Sequence, residues 1–418
     1  MKSLVTKSGT IPFLPLLAVY SLFVLAASDG SIAGDGARYI MYARNLLKGF
    51  YAPPDTLLLW NGPGYPLVLM PFVYLNLPFL LAKFLNAFFL FAAVVYVYHS
   101  LMLYLNQRKR AVCYAYVMGI YLLLCGSQIQ LLMTEPLSAF CLSGFIFHFC
   151  RTIKSGDLPW PHFLISAGFL AYLALTKVFF GYVITLMLIA TAILLLITRV
   201  KRIKQSALIF FLSIVFCSPY LVYTYNLTGK AFYWGNSGGM QFYWMTVHEP
   251  GFLGDWIHEN TVLQNPLLFK NHIDLYRLLE KTDYVAWDSE TKKRGLENLK
   301  QNPRKYLLNW RANVNRMILD FPYSQYPGSH SELKTGNRSL LSFLIYFLFG
   351  TALVFLFRGY GEIPLEIWLT GCFIIVSLGG LSLLSAFFRF VVPLIPVMGF
   401  WSVIVLQRTC RTSQSSRE

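Results

Sequence analysis

Residues 163–197 read FLISAGFLAYLALTKVFFGYVITLMLIATAILLLI, an apolar run interrupted only at Thr176-Lys177. A membrane-spanning helix takes about 20 mostly apolar residues. The run is too long for one such helix and suits two short ones, 162–177 and 178–198, that turn at the lysine. This reading decides the fold. Each helix added or removed here inverts the side on which every later connection falls.

Further apolar segments lie at 11–28, 79–105, 111–127, 136–151, 206–225, 339–357, 363–386 and 391–407, which predicts ten spans in all. If the N-terminus is cytoplasmic, the connections after even-numbered helices are cytoplasmic too. Those connections hold Arg108-Lys109-Arg110, Arg151 with Lys154, Arg199 with Lys201, Arg202 and Lys204, Arg358, and the terminal Arg408, Arg411 and Arg417. Every short basic run then falls on one side, as the positive-inside bias requires. One helix more or fewer would scatter them. The expectation is an all-α integral protein of the inner (plasma) membrane, with both termini cytoplasmic. The segment from Ile11 follows Lys2 and Lys7 and has the shape of a signal peptide. It is read as an uncleaved first helix, because something must orient the spans that follow.

Composition agrees. Of 418 residues, 56% are hydrophobic and 13% charged, about half the charged share of a soluble domain. A net charge of +16 would point to nucleic acid in a soluble chain. Here the cations sit in short runs between apolar segments, so no nucleic-acid partner is expected. Seven cysteines form no CxxC pair, which excludes a disulfide framework or zinc pattern.

Two outer loops divide the chain into a membrane module (1–225, with a first loop at 29–78), a second loop (226–338) and C-terminal helices with a cytoplasmic tail (339–418). In the first loop, Tyr39, Tyr42, Leu46 and Leu47 recur at helical spacing within 34–48. Residues 57–77 are apolar but broken by Pro63, Pro66 and Pro71, which predicts a segment lying at the interface rather than crossing. The second loop is expected to carry helices over 267–281 and 291–318, with Pro303 opening a new one.

The candidate site residues gather at outer helix ends. Asp35 has Arg38 and Tyr39 one turn away; acid, cation and phenol together suit a site that handles a hydroxyl and a phosphate. Asp29 is a second possible base, without such partners. Trp60-Asn61-Gly62-Pro63-Gly64-Tyr65-Pro66 fixes a tight turn, either a plain re-entry into the membrane or a close approach to a ligand by Asn61 and Tyr65. Glu135 precedes Pro136 at a helix start, as a cap or a second carboxylate of the site. Lys177, inside the apolar run, either snorkels to headgroups or neutralises a phosphate. Arg389, before Pro393 and Pro396, opposes the charge bias and asks for an anionic partner. His248-Glu249 and His258-Glu259 match no metal-ligand spacing and read as surface or cap residues.

These motifs, in this order, resemble the GT-C glycosyltransferases, in the branch holding the lipid A aminoarabinose transferases and protein O-mannosyltransferases. The likeness rests on Asp35-Gly36-Ala37-Arg38-Tyr39, Gly62-Pro63-Gly64-Tyr65-Pro66, Thr134-Glu135-Pro136-Leu137, Leu175-Thr176-Lys177 and Arg389-Phe390-Val391-Val392-Pro393-Leu394-Ile395-Pro396. It implies a GT-C-like bundle with juxtamembrane helices. It also implies transfer of a sugar from a polyprenyl-phosphate donor, such as undecaprenyl phosphate, to an acceptor hydroxyl on an envelope lipid, glycan or protein. Asp35 would be the base, and Arg38, Tyr39, Asn61, Tyr65, Glu135, Lys177 and Arg389 would bind substrates. No cofactor or metal is expected, since the leaving group is already a phosphodiester. Two departures matter: Gly36 replaces an acid common after the Asp, and Asn61-Gly62 replaces Glu-Lys in the aminoarabinose branch, which shifts phosphate binding to Lys177 and Arg389. The rival expectation is a transporter or flippase of lipid-linked sugars, which would call for ionisable residues at mid-helix and internal repeats; here the charges gather at outer helix ends and no repeat is visible.

Overall fold

The computed structural model describes residues 7–26, 32, 34–125, 128–155, 159–324, 326, 338–358 and 363–415. The described residues are helical, with no strand among them. In chain order the helices are α1 (Ile11–Ala26), α2 (Gly36–Leu47), α3 (Gly64–Tyr74), α4 (Phe79–Met102), α5 (Arg108–Leu124), α6 (Glu135–Ser155), α7 (Trp160–Thr176), α8 (Phe179–Thr198), α9 (Lys201–Phe216) and α10 (Ser218–Thr228). A loop lobe follows with α11 (Gly238–Thr246), α12 (Glu259–Gln264), α13 (Ile273–Leu279), α14 (Tyr284–Gln301) and α15 (Pro303–Leu319). The chain ends with α16 (Arg338–Arg358), α17 (Leu365–Leu383) and α18 (Ile395–Ser415), the last entered through the short turns Phe388–Val391 and Val392–Leu394.

All ten expected spans are helices, but they are not equal. Among the described residues, six helices are long and apolar enough to cross a membrane: α4, α6, α8, Leu340–Phe357 within α16, α17, and Phe388–Cys410. The pair α9–α10 makes a seventh if counted as one span bent by 49°. Pro219, in the first turn of α10, cannot donate to the ladder of α9, which is where the bend falls. Helices α1, α5 and α7 are shorter. At 17 residues, α5 and α7 reach about 26 Å, less than the roughly 30 Å of a hydrocarbon core. The chain is therefore an all-α integral membrane protein in which several helices fall short of a full crossing.

Helix α6 is the axis of the bundle. It is almost wholly buried, packed by α4, α7, α9, α17 and α18. Small residues permit this. A Cβ on Gly144 would meet the Phe169 ring at 2.7 Å, so glycine lets α7 close on α6. The N-terminal residue of this axis is Glu135.

Helix α3 carries Pro66 and Pro71 yet stays helical from Gly64, after Pro63. It is 11 residues long, too short to span, and exposes Leu67 and Tyr74. The lobe has its own core around Trp244, Phe269, Tyr276 and Trp287, with Trp60 packed against it. Asp283 caps α14 by accepting from the Val285 and Ala286 amides, and Asn302 caps α15 ahead of Pro303.

Candidate active site

A cavity of about 570 Å³ lies between the bundle and the lobe. Its chemistry comes from four separate parts of the chain. Asp35 stands at the N-cap of α2, but its carboxylate does not cap the helix. It accepts instead from Arg38 Nη2 at 2.5 Å and from Arg389 Nη2 at 3.2 Å. Arg38 also donates Nε to Asn61 Oδ1 at 2.7 Å and lies over the Trp60 ring at 4.9 Å. Asn61 Nδ2 reaches the Tyr39 hydroxyl at 3.4 Å. Across the cavity, Lys177 Nζ donates to Glu135 Oε1 at 3.1 Å. Both Lys177 and Arg389 stand over the Phe390 ring, at 5.3 and 5.2 Å.

The electrostatics are lopsided toward cations. Burial raises the Asp35 pKa, but the positive charges of Arg389, Arg38 and Lys177 outweigh it and hold the carboxyl below its usual range. Burial, then the charges of Asp35 and Glu135, push the Tyr39 phenol well up, so it stays a hydrogen-bond donor. Asp35 and Glu135 face Arg38, Lys177, Arg389 and Lys292, so the lining is net positive and suits an anion. Glu135 is 1% exposed, and its Oε2 has no hydrogen-bond partner among the described residues. The other wall is apolar, with Phe179, Phe180, Leu381, Leu384 and Phe387.

The backbone of the re-entry turn presses on the end of α7. A Cβ at Gly62 would collide with the Leu175 carbonyl, and one at Gly64 with Thr176. The Tyr172 hydroxyl donates to the Gly64 carbonyl at 2.8 Å. These contacts fix Lys177, whose α7 C-cap backbone is extended. Gly36 has a similar reason to lack a side chain, since a Cβ there would sit 3.3 Å from Leu132 Cβ.

Asp35, Arg38, Tyr39, Asn61, Glu135, Lys177 and Arg389 all line this cavity. Tyr65 does not. Its ring is 1% exposed, packs edge-on against Tyr39 at 5.2 Å, and donates to Asn86 Oδ1 at 3.3 Å. It is placed as a support behind Tyr39 rather than as a surface for substrate. Asp29 lies outside the described residues. The two histidine pairs stand apart from the cavity: His258 caps α12 through the Asn260 amide, and Glu249 pairs with His272 at 3.4 Å. Among the described residues, no three His, Cys, Asp or Glu side chains gather where a metal ion would need them. Trp256, Gln241 and Lys292 of the lobe and Ser385 after α17 also line the cavity and carried no signal in the sequence, being ordinary polar or aromatic residues.

No family model and no curated protein sequence matches the chain. Among solved structures, it aligns with the crystal structure of ArnT from Cupriavidus metallidurans bound to undecaprenyl phosphate. The identity is 15%, over 97% of this chain and 78% of that one, with a TM-score of 0.40. At that score the overlap supplies no residue-level correspondence.

Proposed function

We propose that this chain is a membrane glycosyltransferase of the GT-C kind, which moves a sugar from a polyprenyl-phosphate donor to an acceptor hydroxyl. The observation that carries this reading is the cavity itself. A carboxylate between two guanidinium groups, a second carboxylate held by a lysine, and an apolar wall face one space beside the membrane-embedded bundle. An anionic headgroup with a long apolar tail fits such a space: phosphate against the cations, tail along Phe179, Leu381 and Leu384.

In this scheme Asp35 takes the proton of the acceptor hydroxyl. The hydroxyl oxygen forms a bond to the anomeric carbon from the face opposite the phosphate. The carbon–oxygen bond to the phosphate breaks, and polyprenyl phosphate leaves with the electron pair. Arg389 and Lys177 meet the charge that grows on it. Glu135, through its pairing with Lys177 at 3.1 Å, holds that lysine toward the phosphate.

The clamp on Asp35 imposes an order. A carboxylate that accepts from Arg38 and Arg389 is a weak proton acceptor. A donor phosphate competes for Arg389 and weakens the clamp, so the base gains strength as the donor binds. Acceptor attack then follows donor binding.

The test is Asp35→Asn in the purified full-length protein, assayed with polyprenyl-phosphate sugars and envelope acceptors. Loss of about 10²–10⁴-fold in transfer, with unchanged thermal unfolding, is expected. Turnover near that of the parent protein sinks the base assignment. Mass spectrometry of envelope lipids, glycans and proteins with and without the chain identifies the product.

A further inference from the structure

A second groove, also of about 570 Å³, opens on the lobe beside the first. Lys292 and Leu296 line both, so the two spaces adjoin along α14. Lys230, Lys292, Lys293 and Lys300 line the groove against a single carboxylate, Glu297. Lys292, Lys293, Leu296 and Lys300 recur at helical spacing, which puts them on one face of α14.

The lysines divide into two kinds. Lys292 and Lys230 are spoken for. Lys292 donates to Asp288 Oδ2 at 2.7 Å, and Lys230 donates to Ser289 Oγ at 2.6 Å. Lys293 and Lys300 are exposed, and neither has an ion-pair or hydrogen-bond partner among the described residues. Lys292 and Lys230 are held by their partners, while Lys293 and Lys300 offer unpaired charge. The groove also lies close to where the chain leaves the bundle. Lys230 follows the end of α10, a helix that exposes Val222 and Tyr225, and Phe232 beside it is exposed as well. Leu296, half exposed between Lys293 and Lys300, adds apolar surface within the groove.

We propose that this groove receives the acceptor, and that the acceptor is a membrane lipid with a phosphate-bearing headgroup held by Lys293 and Lys300. The inference rests on the transferase reading, because a second substrate must reach Asp35 by some route other than the donor's. A lipid is favoured over a soluble anion for two reasons. Apolar residues flank the lysines, and the groove starts at the end of a helix that belongs to the bundle. A headgroup lying there extends past Lys292 into the cavity, and its hydroxyl arrives on the side of Asp35.

The test is binding, which needs no turnover and so fails or succeeds separately from the Asp35→Asn assay. The detergent-solubilised full chain is mixed with phosphatidylglycerol or phosphatidylcholine, and retained lipid is read by native mass spectrometry. Glycerol phosphate at millimolar concentration is the soluble competitor. The parent protein is expected to prefer phosphatidylglycerol, and K293E/K300E to reduce that preference by about tenfold. K270E/K281E, which alters two lobe lysines outside both cavities, should leave it intact. Displacement of the lipid by glycerol phosphate alone would mean a soluble anion site and overturn the lipid assignment. No preference in the parent, or an equal loss in both double variants, would reduce the groove to a solvated basic face and overturn the proposal.

Discussion

Asp35 owes its state to Arg38 at 2.5 Å and Arg389 at 3.2 Å. Burial works to raise its pKa, and the cations, Arg389 foremost, bring it below the usual carboxylate range. In the proposed reaction Asp35 must be ionised to act as base, so its depressed pKa places the expected acid limb of kcat/KM below that range. Removing Arg389 leaves burial less opposed, so in Arg389→Ala the acid limb moves to higher pH. Under the proposed function the same variant also loses a charge-assisted contact to the donor phosphate, and donor KM should rise about 10- to 100-fold. A pH–rate profile of the two proteins checks both; an unmoved limb would separate Arg389 from the base. At this scale the sequence was informative because a charge among apolar residues stands out and is costly to keep there. It was less informative for Tyr65, because a tyrosine in an apolar loop does not reveal which neighbour its ring will meet. Its burial against Tyr39 and Asn86 is a product of packing.

Between elements, the contact that sets the site is the one between the re-entry turn and the end of α7. Gly62 and Gly64 let backbone lie on Leu175 and Thr176, immediately before Lys177. A methyl group at Gly62 must push the α7 terminus away, because a backbone carbonyl cannot rotate aside as a side chain does. Gly62→Ala should therefore cost about 1–3 kcal/mol of stability and weaken donor binding by displacing Lys177. Thermal unfolding and donor affinity measure the two effects, and unchanged donor affinity would show that Lys177 does not depend on the turn. The paired glycines and prolines announced a tight turn, and the apolar run broken at Thr176-Lys177 announced two short helices. That the one lies on the other was not legible, since the two segments are distant in sequence and neither names its partner. Helix existence was readable for the membrane segments but not throughout the lobe, where α11 and α12 had no signal and the helix expected over 267–281 covers only Ile273–Leu279; helix length was less readable still, since α1, α5 and α7 fall short of a full span.

Over the whole molecule, the lobe is tied to the bundle through the strand of chain that leads to Arg389. Asn313, fully buried on α15, donates to the Ser382 carbonyl at 2.8 Å and to the Leu384 carbonyl at 2.5 Å, and accepts from the Ala386 amide at 2.9 Å. The Trp256 amide donates to Ser385 Oγ at 2.8 Å. Asn313→Ala leaves these groups unpaired, at a cost of about 1–3 kcal/mol each. It should loosen the lobe and the approach to Arg389 together. The expected outcome is a lower unfolding temperature with reduced donor affinity, although Asn313 touches neither Asp35 nor the cavity; a variant with parental affinity would show that the lobe and Arg389 move independently. By itself the sequence determined that the protein is helical and built for lipid, and which solitary charges stand out at the ends of apolar segments. Those are local properties, because an apolar length and the cost of a charge in an apolar segment are set within one turn or one helix. Only the tertiary structure decided that Asp35 meets Arg389, 354 positions away, and that Trp256, Ser385 and Lys292 close the same cavity. Such meetings arise from many weak long-range contacts acting together, and no short stretch of chain contains them.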